Sequence, residues 1–285
     1  MTSIHQLTAG DTHCIIRTDM GACIAGLWHA GHAVLRSPPP ESLATSRQSG
    51  CYPLVPYSNR IGNAVLHWQD EEHRLSANNP PEPHAIHGVG WQRAWDIVDS
   101  SPAHLTLSHT HRGDPSWPFA YRAEQRFGLA DGKLEVQMTL TSDDSRPAPA
   151  GLGWHPYFIK RPGSHLRFAA SGRWEMGADK LPTQRRNVTG IDARCASLDV
   201  DHCFDGWPGE AVLGDEVLVT RIRSDLSRLV VFTNDTRDFI AIEPVSHVNN
   251  AFDKANADEL GVRTLAAGGS IQAHMTLLMS LTSPT

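Results

Sequence analysis

Residues 132–140 read GKLEVQMTL. Leu134, Val136, Met138 and Leu140 take every second position, with Glu135, Gln137 and Thr139 between them. A period of two is that of a β-strand with one face buried and the other in water. Immediately before it, YRAEQRFGLADGKL sets Asp131-Gly132 between two apolar runs, and Asp-Gly supplies the positive φ angles of a tight hairpin turn. The same logic predicts that HLRFAASGRWEM brings Leu166, Phe168 and Ala170 into a turn at Ser171-Gly172. SIQAHMTLLMSL ends the chain with Ile271, Ala273, Met275, Leu277 and Met279 on one face.

Short strands also fit AVLHWQ, AWDIVDS, AHLTLSHT, VLVTRIRS and LVVFTND, each bounded by turn-forming residues. Apolar residues nowhere keep a helical spacing, and 19 prolines and 23 glycines punctuate the chain evenly. The expected fold is all-β, a large antiparallel sandwich or barrel. No linker or repeat divides residues 1–285, and a single domain of this length is ordinary for all-β architecture.

An apolar fraction of 40% and a charged fraction of 20% fit a soluble chain with a sizeable core. The net charge of −6, with both signs interspersed, offers no basic stripe to a phosphate backbone or an anionic membrane, so nucleic acid and membrane are not expected partners. Five scattered cysteines without a C-x-x-C pair fit a reducing compartment rather than a disulfide framework or a thiolate zinc site. With no signal-like N-terminus and no run of spanning length, the expectation is a cytoplasmic protein.

Most of the 16 histidines lie in strand-like or loop contexts without polar company. Five segments carry denser polar company. In VPYSNRIGN, Asn59-Arg60 places an amide beside a guanidinium, either to hold a hydroxyl-rich ligand or to close a turn onto its own backbone. PHAIHGVGWQRAW carries His84 and His87 three apart, but the glutamate and helix of a zinc motif are missing, so no metal is expected. In GLGWHPYF, His155 is packed among Trp154, Tyr157 and Phe158, as a core histidine or as a proton carrier beside rings that can stack on a sugar. In FIAIEPVSHVNNAF, Glu243 ends an apolar alternating run, where a carboxylate is costly unless partnered or functional, and where burial raises its pKa toward that of a useful base. Asp201 and His202, in LDVDHCFDGWPG, fit a polar turn or a binding position.

Taken together, NRIGN (59–63), IHGVGW (86–91), GWHPYF (153–158), DHCFDGW (201–207) and IEPVSHVNNAF (242–252) resemble the aldose 1-epimerase (galactose mutarotase) family. The resemblance implies one β-supersandwich with an open sugar groove, working without cofactor or metal on a small-molecule sugar, as a monomer or weak homodimer. It implies His155 as general acid, Glu243 as general base, His87 as the second active-site histidine, and Asn59, Arg60, Tyr157 and Asp201 as holders of sugar hydroxyls. The implied substrate is a free hexose. A hexose 6-phosphate would call for an added basic residue at the groove rim, for which Arg93 and Arg161 are candidates. HGVGW in place of the HGG of galactose-specific members, and Trp154 in place of an amide before the histidine, bear on which sugar is preferred. The alternatives are a non-catalytic sugar-binding protein of the same fold and a metal-dependent isomerase using His84 and His87.

Overall fold

In the computed structural model, which describes residues 3–282, the alternating stretch is the strand Lys133–Ser142, with Leu134, Val136, Met138 and Leu140 all buried. It pairs antiparallel with Tyr121–Ala130 on one side and Ser270–Leu281 on the other. The register sets Val136 level with Phe127 and Met275, so one face forms continuous apolar rows across the three strands. The Asp131-Gly132 hairpin is present, but the positive φ falls on Gly132 alone, at 67°. The Asp131 carboxylate instead accepts hydrogen bonds from the Asp11 amide and the Thr12 hydroxyl, tying the hairpin to the N-terminal strands.

Two antiparallel sheets make up the body. The first runs, in spatial order, Ile4–Ala9, Thr12–Arg17, Cys23–His29, Cys51–Leu54, Gly153–Ile159, Phe239–Val245, Arg228–Thr233, Val200–Asp205, Gly172–Met176 and Pro182–Asn187, with His32–Ala33 added against Cys23–His29. The second runs Asp96–Ser101, His104–His111, Tyr121–Ala130, Lys133–Ser142, Ser270–Leu281, Leu218–Ser224, Glu210–Gly214, His165–Phe168 and Ile191–Arg194. One cluster of buried apolar side chains fills the space they share. Only short 3₁₀ turns, and no α-helix, occur among the described residues, and none of their helices is long and apolar enough to cross a membrane.

The expected turn at Ser171-Gly172 is a crossing between sheets rather than a hairpin. His165–Phe168 pairs in the second sheet, whereas Gly172–Met176 pairs with Val200–Asp205 in the first. Alternation identifies which side chains face inward, and Leu166, Phe168 and Ala170 are buried as expected, but it carries no information on the partner strand. AVLHWQ becomes Val65–Trp68, paired only with Glu71–Arg74 outside both sheets. AWDIVDS becomes the fully exposed edge strand Asp96–Ser101.

Candidate active site

The middle strands of the first sheet are buried on both faces, which explains why FIAIEPV reads as a nearly unbroken apolar run. One face packs on the core: Trp154 donates through Nε1 to Gln125 Oε1 at 2.8 Å on the opposing sheet, and Phe158 lies level with Ile240. The other face floors a groove of about 370 Å³. Gly153 pairs with Val245 and Tyr157 with Ala241, a register that sets His155 directly across from Glu243. The same row continues to Tyr52 on one side and Val230 on the other. Two residues along, a parallel row runs Tyr157, Ala241, Phe232 and Asp201. Period two therefore delivers His155, Glu243, Tyr157 and Asp201 to one surface from three different strands.

His155 Nε2 lies 3.2 Å from Glu243 Oε1, and both side chains are almost wholly shielded from solvent. The imidazole stacks on Tyr52 at 4.8 Å and meets the Tyr157 ring at 4.4 Å, with the Tyr157 hydroxyl 3.5 Å from Nε2. His155 Nδ1 and Glu243 Oε2 are buried and have no hydrogen-bond partner in the protein. Unpaired buried polar atoms are costly, and here one lies on each member of the contact.

A neighbouring carboxylate by itself raises an imidazole's pKa; burial reverses that direction here. Desolvation pushes Glu243 well above the ordinary carboxylate value, with the negative Asp201 adding and Arg60 opposing. Desolvation pulls His155 well below the ordinary imidazole value, and Arg47 and Arg36 add to it. Burial thus favours the uncharged forms of both groups, a protonated carboxyl beside a neutral ring, over the ion pair.

A small ladder, Arg60–Ile61 against Ala85–Ile86, carries Asn59, Arg60 and His87 over the floor. Asn59 and His87 both have positive φ, at 53° and 64°, a conformation disfavoured for residues with a Cβ. Each holds the other there: the His87 amide donates to Asn59 O at 2.9 Å, and the Asn59 amide donates to His87 Nδ1 at 3.1 Å. With Nδ1 accepting and burial keeping the ring neutral, the His87 proton sits on Nε2. Gly88 follows at φ 69°, where a Cβ would lie 2.2 Å from the Val55 carbonyl oxygen. Asn59 Oδ1 accepts from the Arg60 amide at 2.9 Å, and Arg60 forks onto Glu82 at 2.8 and 3.1 Å.

All seven expected site residues line this one groove: Asn59, Arg60, His87, His155, Tyr157, Asp201 and Glu243. Asp201 and His202 sit in the strand Val200–Asp205, not in a polar turn. His84 is held elsewhere, its Nδ1 accepting from the Asn63 amide and its Nε2 donating to Asp179 O, so it does not form a ligand pair with His87. Arg93 and Arg161 are not at the rim either; they pair with Asp114 and Asp215 at 2.9 and 3.1 Å. Sequence reasoning missed Tyr52, Glu82, Arg36, Arg47, Phe232, Arg237 and Phe239. For Phe239 a signal existed, since it shares the parity of Glu243 on one strand.

The profile of the aldose 1-epimerase family matches residues 3–278. The chain belongs to the aldose 1-epimerase family. This epimerase-family chain is 28% identical to the uncharacterised protein YphB of Escherichia coli (strain K12), over 96% of this chain and 98% of that protein. It is 26% identical to the uncharacterised YihR of the same organism, over 87% and 85% of the two chains. A solved galactose mutarotase-like protein from Clostridium acetobutylicum shares the fold, with a TM-score of 0.84 at 17% identity, covering 97% of this chain and 95% of that one. The solved GalM/aldose epimerase homologue of C. elegans gives a TM-score of 0.83 at 17% identity, covering 99% and 100%. The supersandwich of the epimerase family is thus the fold of this chain.

Proposed function

We propose that the protein is an aldose 1-epimerase, an isomerase that interconverts the α and β anomers of a hexopyranose by opening and reclosing its ring. The observation that carries this reading is the 3.2 Å contact between His155 Nε2 and Glu243 Oε1, in a sugar-sized groove, with one orphaned polar atom on each side chain.

Breaking the C1–O5 bond unaided builds an alkoxide or an oxonium. The pair avoids both. Glu243, as carboxylate, takes the proton of the C1 hydroxyl while protonated His155 gives one to the ring oxygen O5; the C1–O5 bond breaks and O1 becomes the aldehyde oxygen. Rotation about C1–C2 presents the other face of the aldehyde. O5 then attacks C1, returning its proton to His155 as Glu243 returns the other to O1. Nothing is consumed, and each transfer contributes about 10²–10⁴-fold.

The proton inventory of the empty groove suits this cycle. A protonated Glu243 beside a neutral His155 is the state the pair reaches once the ring has opened. The state needed for opening differs by one proton crossing the 3.2 Å contact. Sugar hydroxyls hydrogen-bonding to Glu243 Oε2 and His155 Nδ1 favour the charged form on binding. In this reading His87 Nε2–H, Asn59 and Asp201 hold hydroxyls and leave C1 free to turn, while Arg60, already forked on Glu82, stiffens Asn59. Aromatic rings at Tyr157, Phe232 and Phe239 offer faces to the sugar's C–H groups.

The test is polarimetry on freshly dissolved α-glucose and α-galactose with purified protein. Acceleration that disappears in Glu243→Gln supports the reading. A Glu243→Gln variant as fast as wild type removes the carboxylate from the mechanism.

A further inference from the structure

Arg36, Arg47 and Arg237 line the groove, and none of them has a carboxylate within 4.0 Å among the described residues. The other cations of the groove are spoken for: Arg60 forks onto Glu82, and Lys180 faces Asp201 at 4.0 Å. Arg36 lies 3.9 Å over the Tyr157 ring, fixed by donation from Nε and Nη2 to the Ser49 carbonyl at 3.0 and 2.8 Å. Arg47 donates Nη1 to Asn79 Oδ1 at 2.5 Å. Arg237 stands 5.7 Å from the rings of both Phe232 and Phe239, and Arg36 is 5.1 Å from Phe239, which places the two guanidinium groups around one aromatic side chain. Neutral carbonyls, an amide and ring faces orient these cations without neutralising them. Positive charge gathered in a partly desolvated groove calls for an anion.

We propose that the aldose turned over here carries an anionic group, a phosphate ester or a carboxylate, received by Arg36, Arg47 and Arg237. The proposal rests on the epimerase reading and narrows its substrate class. It also links binding to chemistry. Arg36 and Arg47 are the charges that disfavour a protonated His155. An anion between them screens that repulsion and favours the imidazolium the ring oxygen needs, so an anionic sugar gains in kcat as well as in KM.

The experiment measures enzyme-dependent anomer exchange by NMR for glucose, glucose 6-phosphate and glucuronate at low ionic strength. The expected result is kcat/KM at least about tenfold higher for one of the anionic sugars than for glucose, the scale of a charge-assisted contact. The better of the two anions identifies phosphate or carboxylate as the group. In the Arg47→Gln/Arg237→Gln double variant, the ratio of anionic to neutral kcat/KM should fall toward one. Glucose turned over as well as both anions, or a ratio unchanged in the double variant, overturns the proposal. If no sugar is turned over, the epimerase reading itself fails. Calorimetric titration of the wild type with the same three sugars then decides the subsite separately: tighter binding of an anionic sugar supports it, and equal or absent binding overturns it.

Discussion

Replacing Glu243 with glutamine should change the pH dependence of stability by an amount that follows from proton counting. Burial holds the Glu243 pKa well above 4.5 and that of His155 well below 6.5 in the folded chain. The folded pair therefore keeps one proton over a wider pH range than the unfolded pair does. The unfolded pair binds two below pH 4.5, one between 4.5 and 6.5, and none above 6.5. Stability follows the difference in bound protons, at about 1.4 kcal/mol per pH unit per proton. The pair's contribution is therefore level from pH 4.5 to 6.5 and falls on either side. For Glu243 alone the sign is that of a raised pKa: its contribution is complete below 4.5 and is lost as pH rises toward the folded value. Glutamine removes that loss and keeps the side-chain shape. Relative to wild type, the variant should gain stability as pH rises from 5 toward the folded Glu243 value, at a slope approaching about 1.4 kcal/mol per pH unit. Urea unfolding of both proteins at pH 5, 6 and 7 measures the difference directly. Other buried histidines, such as His87 and His247, titrate alike in the two proteins and cancel. A stability difference that stays constant over this range would mean that Glu243 is already ionised in the empty groove, and the argument from burial would be wrong.

In His155→Asn, mutarotation should fall by about 10²–10⁴-fold, read by polarimetry; full activity would return this residue to the role of a core histidine. Trp154→Phe leaves Gln125 Oε1 buried without the Nε1 donor at 2.8 Å, and should cost about 1–3 kcal/mol of unfolding free energy while kcat changes little, because the indole faces away from the groove. Gly88→Ala meets the Val55 carbonyl at 2.2 Å, so its melting temperature should drop by much more than that of a Gly→Ala control at Gly31, which shares a positive φ, at 80°, but leaves open space for a Cβ. Asn59→Ala keeps the unfavourable φ of 53° but loses the acceptor for the Arg60 amide; Asn59→Gly loses the acceptor but not the conformation, and should be the more stable of the two by thermal melting.

Much of this structure can be read from local pattern, because the pattern and the physics share a length scale. The period-two run at Leu134–Leu140 and the long closing run at Ile271–Met279 need only neighbouring residues to declare a half-buried strand, and both form as expected. The turn at Ser171-Gly172 does not, since choosing between a hairpin and a crossing depends on strands far away in sequence. The same limit governs the groove. His155 and Glu243 stand out locally as polar side chains in apolar strands, and family motifs mark them. Arg36 belongs to irregular chain and Arg47 to the 3₁₀ turn Ser46–Gln48, with no periodicity and no motif to announce them. Arg93 and Arg161 looked equally available, and only the fold reveals that each already has an aspartate. The reversed pKa direction of His155 has the same origin: burial is a sum over residues remote in the chain.

The placement of the acid–base pair depends on the core as much as on the groove. A slip of one residue between Gly153–Ile159 and Phe239–Val245 would send every side chain of one strand to the opposite face. Glu243 would then enter the apolar layer beside Trp154 and Phe158 while Ile240 and Ile242 turned to the groove, and an uncompensated carboxyl in that layer costs several kcal/mol. Trp154, Phe158, Ile240 and Ile242, all buried on the core side, make the correct parity the only one that keeps apolar groups together. The indole of Trp154, bonded to Gln125 on the opposing sheet, adds a directional contact to that preference. The large residues that flank His155 in GWHPYF therefore do more than surround it. By committing their own side of the strand to the core, they leave His155 and Tyr157 no other face than the one Glu243 shares.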